Sequence, residues 1–343
     1  MRNEGAYAYA KACGIISKSF IGKRISSLAG LNSLSELDRL VFSDTRRELP
    51  GKELLADLEK RFVQRAVRQI LVIVNSWHRP PELLVRMLKA YELSDLKVCF
   101  QYISSGKDKL PNISDIGHFR TVNFQAFPDI AAMLAGSDYK YILPDVKSLQ
   151  KDNPDFTQIE TKLDWHHYLS IAECMSALSS GDREIIQKLV IDEISLRNCI
   201  WALRLRTYYH KTEKETEKYL MNIRIKEYSQ GGTVLLSRHA KESLDFPLDS
   251  RKPWEGWKWE KFLNPEEPAK HWDANPRYFQ NAASGYLYRL AKKYFHRCPV
   301  SVSAIFCFIK LKQFEEDLLT SVAEGFSLGM DSVTVFKMLE IPA

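Results

Sequence analysis

Apolar residues recur every third or fourth position over long stretches of this chain, and that period restricts what it can fold into. From Leu55 onward, Leu58, Phe62, Ala66, Ile70, Ile73 and Trp77 fall along one helical face. Leu71, Val72 and Val74 widen the stripe, so the end of this helix is expected to be buried on most sides. His78-Arg79-Pro80-Pro81 stops it, because proline cannot continue the hydrogen-bond ladder. A second helix is predicted from about Glu82 to Ile103, ended by Ser104-Ser105-Gly106.

The arrangement recurs twice. Phe156 to Leu178 reads as a helix, Ser179-Ser180-Gly181-Asp182 as a turn with Asp182 as N-cap, and Arg183 to Tyr209 as the returning helix. Pro276 to Phe295 reads as another helix, Arg297-Cys298-Pro299 as a break, and Val302 to Phe326 as its return, with Gly325 and Gly329 near the end. Each returning helix carries a short polar residue at a matching place. Aligning Asp95, Asn198 and Asp317 spaces the repeats by 103 and 119 residues. The prediction is an all-α chain of three related helical subdomains, 1–115, 116–228 and 229–343, each built on a long antiparallel hairpin.

Short amphipathic pieces precede the hairpins, at Ser35–Phe42, Pro128–Leu134 and Ser237–Leu244, the first opened by a capping-box-like Ser35 and Asp38. The third subdomain carries a Trp/Pro-rich excursion at 245–275. Trp254, Trp257, Trp259 and Trp272 stand there among Pro247, Pro253, Pro265 and Pro268. Tryptophans are rarely left in solvent, so a local core is expected. Thr233–Leu236 and Leu96–Tyr102 have some strand propensity, which the helical surroundings are expected to override. Lys211–Lys218, KTEKETEK, reads as a solvated continuation of the preceding helix with i,i+4 charge pairs.

Composition narrows the function classes. The chain has 343 residues and a net charge of +6 from 49 basic and 43 acidic residues. That excess is mild for a nucleic-acid-binding domain. Cys13, Cys99, Cys174, Cys199, Cys298 and Cys307 form no CxxC pair and sit mostly in apolar helical patterns, which suggests reduced thiols in a cytoplasmic protein. The N-terminus lacks a secretory apolar core, and no apolar run approaches the roughly 20 residues needed to cross a bilayer. There is no GxxxxGK[ST] loop, no GxGxxG turn and no HExxH pattern. His166-His167 point about 100° apart on a helix, so they are expected to pack or face solvent rather than chelate a metal. No cofactor, metal or catalytic residue is expected.

Several segments resemble one family. Cys298-Pro299-Val300-Ser301-Val302 through Phe308-Ile309-Lys310-Leu311-Lys312 looks like its proline-led helix, followed by Glu315-Glu316-Asp317-Leu318-Leu319 and Ala323-Glu324-Gly325-Phe326. Glu193–Arg206 is similar to its acidic–Asn–Leu–Arg helix, and Ala6-Tyr7-Ala8-Tyr9-Ala10-Lys11 to its start. The family is the C subunit of V/A-type rotary ATPases, called subunit d in eukaryotic V-ATPases. Phe314 stands where the family usually has glutamate, Ser195 where it usually has aspartate, and the Trp-rich excursion is unusual.

The resemblance implies a funnel of three pseudo-symmetric domains and a non-catalytic rotor subunit on the cytoplasmic side of the membrane. It would seat D/F-type central shaft subunits on the membrane rotor ring, one copy per complex, without binding nucleotide. Asp95, Arg197, Asn198, Arg204, Arg206, Glu316 and Asp317 are the candidate shaft or ring contacts. For Asp95, Asn198 and Asp317 the favoured reading is a structural hydrogen bond to a neighbouring helix terminus within each subdomain, since a buried, unpaired polar group costs about 1–3 kcal/mol, and lining the shaft seat is the other. Arg197, Arg204 and Arg206 either meet an acidic partner or form a solvated face. Two rival functions are a general helical adaptor and a nucleic-acid protein using Arg204, Arg206, Lys292 and Lys293, the latter requiring a continuous basic face and steep salt dependence.

Overall fold

Long helices form where the apolar period is longest. A computed structural model describes residues 2–43, 48–148, 156–226, 231–263 and 272–338. In chain order the helices are α1 (Arg2–Ser17), α2 (Leu34–Val41), α3 (Gly51–Val74), α4 (Glu82–Ser104), α5 (Ile130–Leu134), α6 (Leu143–Ser148) and α7 (Thr157–Cys174). They continue as α8 (Ser180–Tyr209), α9 (Glu213–Glu217), α10 (Arg238–Glu242), α11 (Pro276–Arg297), α12 (Val302–Ser327) and α13 (Ser332–Met338). With about 70% helix, the chain is all-α. The only strands among the described residues are β1 (Arg224–Lys226) and β2 (Thr233–Leu235), paired antiparallel with Ile225 opposite Val234.

The chain forms two compact units, one of residues Met1–Phe156 with Ala291–Ala343, the other Thr157–Leu290. The division falls inside α11.

In the first unit α12 is the central element. Ala304 through Ile309 are fully buried, as an apolar run with no polar face demands. The helix packs chiefly against α3, then α1, α13, α4 and α2. The sequence pairs α12 with α11, whereas its main neighbour is α3. Leu54, Leu58 and Phe62 of α3 share a core with Leu319, Val322 and Ala323 of α12 and with Leu37 of α2. Small residues let α1 approach: Ala8 and Ala12 are fully buried, and a Cβ on Gly5 would lie 3.2 Å from the Val300 carbonyl oxygen.

In the second unit α7 and α8 pack together, and the excursion folds onto α8 and the start of α11. Trp254, Trp257 and Trp259 are buried with Phe262, Phe279, Leu196, Cys199 and Leu203, and Trp272 packs against them. The expected local core is there. Pro265 and Pro268 lie outside the described residues.

Several local expectations are corrected. α2 is capped by Ser33, whose hydroxyl accepts from Glu36 N–H, not by Ser35. α8 begins at the cap Ser179, so Asp182 lies in its first turn. α3 ends at Val74, before the prolines, and α7 ends at Cys174 in a 3-10 turn. KTEKETEK does not continue α8: His210 turns left-handed (φ 49°), and Thr212 with Glu215 starts α9 through a complete capping box. Thr233–Leu235 is a strand after all, because β1 supplies the ladder partners, whereas 96–102 stays within α4.

Candidate functional site

The short polar residues of α4, α8 and α12 divide by what surrounds them. On α4, Asp95 is buried and accepts hydrogen bonds from Ser114 N–H (2.8 Å) and the Ser114 hydroxyl (3.1 Å). Burial raises its carboxyl to about 6, with the Ser114 bonds and the Arg120 charge pulling downward. One turn earlier Glu92 accepts from the N–H groups of Thr121 (2.5 Å) and Val122 (2.7 Å). The two carboxylates thus hold the irregular chain that follows α4, satisfying backbone donors that no helix or sheet serves.

Asn198 does the corresponding work on α8. It is fully buried; its amide donates to the carbonyls of Met221 (3.2 Å) and Leu236 (3.3 Å), and its oxygen accepts from Met221 N–H (2.7 Å). Three turns back, Gln187 donates to the Lys226 carbonyl (2.5 Å). Together they fix the β1–β2 ribbon to the helix. Ser195 accepts from the Trp259 indole N–H (3.3 Å). The serine and the Trp-rich excursion therefore meet in one hydrogen bond.

The polar residues of α12 are placed differently. Asp317 is exposed, whereas Glu316 is half-buried and accepts from the Tyr91 hydroxyl of α4 (2.9 Å). Burial, then the Asp317 charge, raises the Glu316 carboxyl to about 7. Beside it lies a cluster that sequence reasoning missed. Glu315 accepts from Phe20 N–H (2.6 Å), from Arg65 of α3 (3.2 Å) and from Lys312, whose ammonium also reaches the Ser19 hydroxyl (3.1 Å). Lys312 and Glu315 are each 1% exposed, and burial drives the Lys312 amine down to about 6. An i,i+3 Lys/Glu pair reads as a surface ion pair. The signal available was its position just after the apolar run Ala304–Ile309 on the same helix.

The arginines of α8 fall into two groups. Arg206 is spent on the carbonyls of Ser243 (2.8 Å) and Phe246 (2.6 Å), which close the segment after α10 against α8. Arg204 donates to the Gln280 side chain of α11 (2.5 Å). Arg197 is exposed, 3.5 Å from Glu193 and over the Tyr168 ring. Asp95, Glu316 and Asp317 lie in the first unit, and Arg197, Asn198, Arg204 and Arg206 in the second.

No reaction chemistry is assembled among the described residues. Among the described residues no group of three His, Cys, Asp or Glu residues could hold a metal ion. The six cysteines are free thiols, and burial raises the pKa of Cys99, Cys199 and Cys307, which makes them poor nucleophiles. Burial lowers the His166 pKa. Surface cavities beside Trp254, Lys258 and Lys261, and beside Arg206 and Thr212, contain no nucleophile–base pair.

With the geometry in place, comparison with known proteins decides the family. The pattern of the ATP synthase (C/AC39) subunit family matches residues 23–335. The chain belongs to that family. A protein of Treponema pallidum (strain Nichols), described as uncharacterized, is 26% identical over 328 residues, covering 94% of this chain and 92% of that one. The C/AC39 family is a non-catalytic subunit of V/A-type ATPases. No described helix of this C/AC39 chain is long and apolar enough to cross a membrane.

Proposed function

We propose that this C/AC39 chain is the non-catalytic rotor subunit of a V/A-type ATPase or ATP synthase. In this reading it couples D/F-type central shaft subunits to the membrane rotor ring, on the cytoplasmic side and at one copy per complex. Ion movement and ATP turnover belong to other subunits; this one transmits torque. The observation that carries the reading is the family match over nearly the whole chain.

The packing supports a mechanical role. Torque is lost in any slack element, so such a part needs helices locked by dense cores. α12, buried along its first half and flanked by five helices, is built that way. So are the irregular segments, which Asp95, Glu92, Asn198 and Arg206 fix to the long helices through backbone hydrogen bonds. Asp95, Arg197, Asn198, Arg204, Arg206, Glu316 and Asp317 are taken to lie at or behind the surfaces that meet the shaft or the ring.

The test is reconstitution of the purified full chain with the D/F-type shaft subunits of the same organism. The reading predicts a 1:1 complex by mass photometry and no affinity for ATP by calorimetry. Failure to bind the shaft subunits, or saturable ATP binding, contradicts it.

A further inference from the structure

α8 turns a row of large side chains outward that its own core does not need. Around the middle of the helix its buried face is formed by Leu196, Cys199, Ala202 and Leu203. On the opposite side Arg197, Trp201, Arg204 and Tyr208 follow at spacings of four, three and four, which places them in one strip about 16 Å long. Trp201 is 41% exposed and Tyr208 57%. Arg204, through its bond to Gln280, brings α11 alongside, and the exposed Arg277 lies one turn from Gln280. The exposed residues of this strip include no acid. Two acids stand near its Arg197 end: Glu193, which is nearly buried and already serves the Tyr168 hydroxyl (3.0 Å) and Arg197, and the half-buried Asp164, one turn before Tyr168 on α7.

We propose that the Arg197–Trp201–Arg204–Tyr208 strip of α8, with Arg277 beside it, docks an acidic α-helix of a partner subunit. Tryptophan, tyrosine and arginine are the residues that concentrate binding energy at protein interfaces. The charge selects the partner: guanidinium groups pair with carboxylates, and a helix with acids at matching three- and four-residue spacing meets them in register. Trp201 and Tyr208 supply the apolar area that excludes water from those pairs. The length of the strip matches three turns of such a helix. The inference rests on the reading of this chain as a subunit of a larger complex, and of the second-unit arginines in the candidate set it makes Arg197 and Arg204, but not Arg206, part of a recognition surface for acidic residues.

The experiment titrates the full chain with two synthetic lactam-bridged helices that share one apolar face. One carries glutamates and the other lysines at positions i, i+4, i+7 and i+11. Fluorescence anisotropy is expected to show the glutamate helix binding at least tenfold tighter than the lysine helix, and weakening with salt. Trp201→Ser with Tyr208→Ser lowers that affinity at least tenfold at an unchanged melting temperature, and Arg204→Gln with Arg277→Gln removes the preference for glutamate. Lys52→Glu, on α3, changes neither.

Equal binding of the two helices, or unchanged binding by the Trp201→Ser/Tyr208→Ser chain, overturns the proposal. So does loss, in the same variant, of binding to phosphatidylglycerol vesicles or of self-association in place of helix binding, which would assign the strip to a membrane surface or a second copy. The rotor reading fails separately. Glutamate-helix binding without any binding of shaft subunits sinks that reading alone. Shaft binding that survives Trp201→Ser/Tyr208→Ser sinks the strip alone.

Discussion

Asn198 shows how one side chain can set the structure of a distant segment. All its polar atoms are used on the backbone of Met221 and Leu236. Asn198→Leu strands those buried groups and is expected to cost about 3 kcal/mol in urea unfolding, since each unsatisfied group costs about 1–3 kcal/mol. Its effect on shaft binding should follow the folded fraction alone; lost binding at unchanged helicity would make Asn198 a contact residue. Glu316 supports a prediction in pH. Its folded-state carboxyl lies near 7, above its ordinary 4.5, so the native state holds a proton that the unfolded chain has released. That stabilisation is complete below about 4.5 and is lost as pH rises through about 7. Lys312 acts in the opposite sense: its folded-state amine lies near 6, below 10.5, so stability from it is lost as pH falls from 10.5 through 6. Glu316→Gln removes the first effect. Its stability relative to the parent should rise between pH 4.5 and 7 by on the order of 2–3 kcal/mol; a flat difference would contradict the burial of this carboxyl. The polar spacing of Asp95 and Asn198 was legible in the sequence, because a short polar residue amid apolar helix needs a partner. The Lys312–Glu315–Arg65 cluster was not, because spacing along one helix does not say which face another helix will cover.

At the scale of elements, period and punctuation located the six long helices to within a few residues, and the caps decided the rest. Two serines two residues apart compete to start α2, and only Ser33 has its hydroxyl on the Glu36 N–H, while Glu36 returns a bond to Asn32 N–H (2.8 Å). Ser33→Ala should therefore cost about 1 kcal/mol of stability and Ser35→Ala almost nothing, measured by chemical unfolding. Reversal of that order would restore Ser35 as the cap. The ribbon went unseen because three residues of strand depend on a partner strand and on Asn198 and Gln187, none of which is local. Close approach is also decided at this scale. A Cβ on Gly325 of α12 would lie 2.4 Å from the Val335 side chain of α13. Gly325→Ala is expected to cost about 1–3 kcal/mol by overpacking and to raise hydrogen exchange in α13 selectively; unchanged exchange there would show that α13 has room to shift.

At the scale of the molecule, the sequence carried the fold class and the family, because both rest on long-range periodicity and on segments spread over the chain. It could not convey that α12 packs most closely on α3, a contact between segments more than two hundred residues apart. Nor does composition select a function: the charge and the absence of catalytic spacing fit an adaptor equally well, and the family match separates the two. If this chain transmits torque in a V/A-type ATPase, it must be a stoichiometric part of the assembled complex. The most direct measurement is absolute quantification by mass spectrometry of the complex purified from native membranes through a tagged catalytic subunit. One copy of this chain per shaft, retained with the rotor ring, is the predicted result. A complete complex containing shaft and ring but lacking this chain would contradict the account.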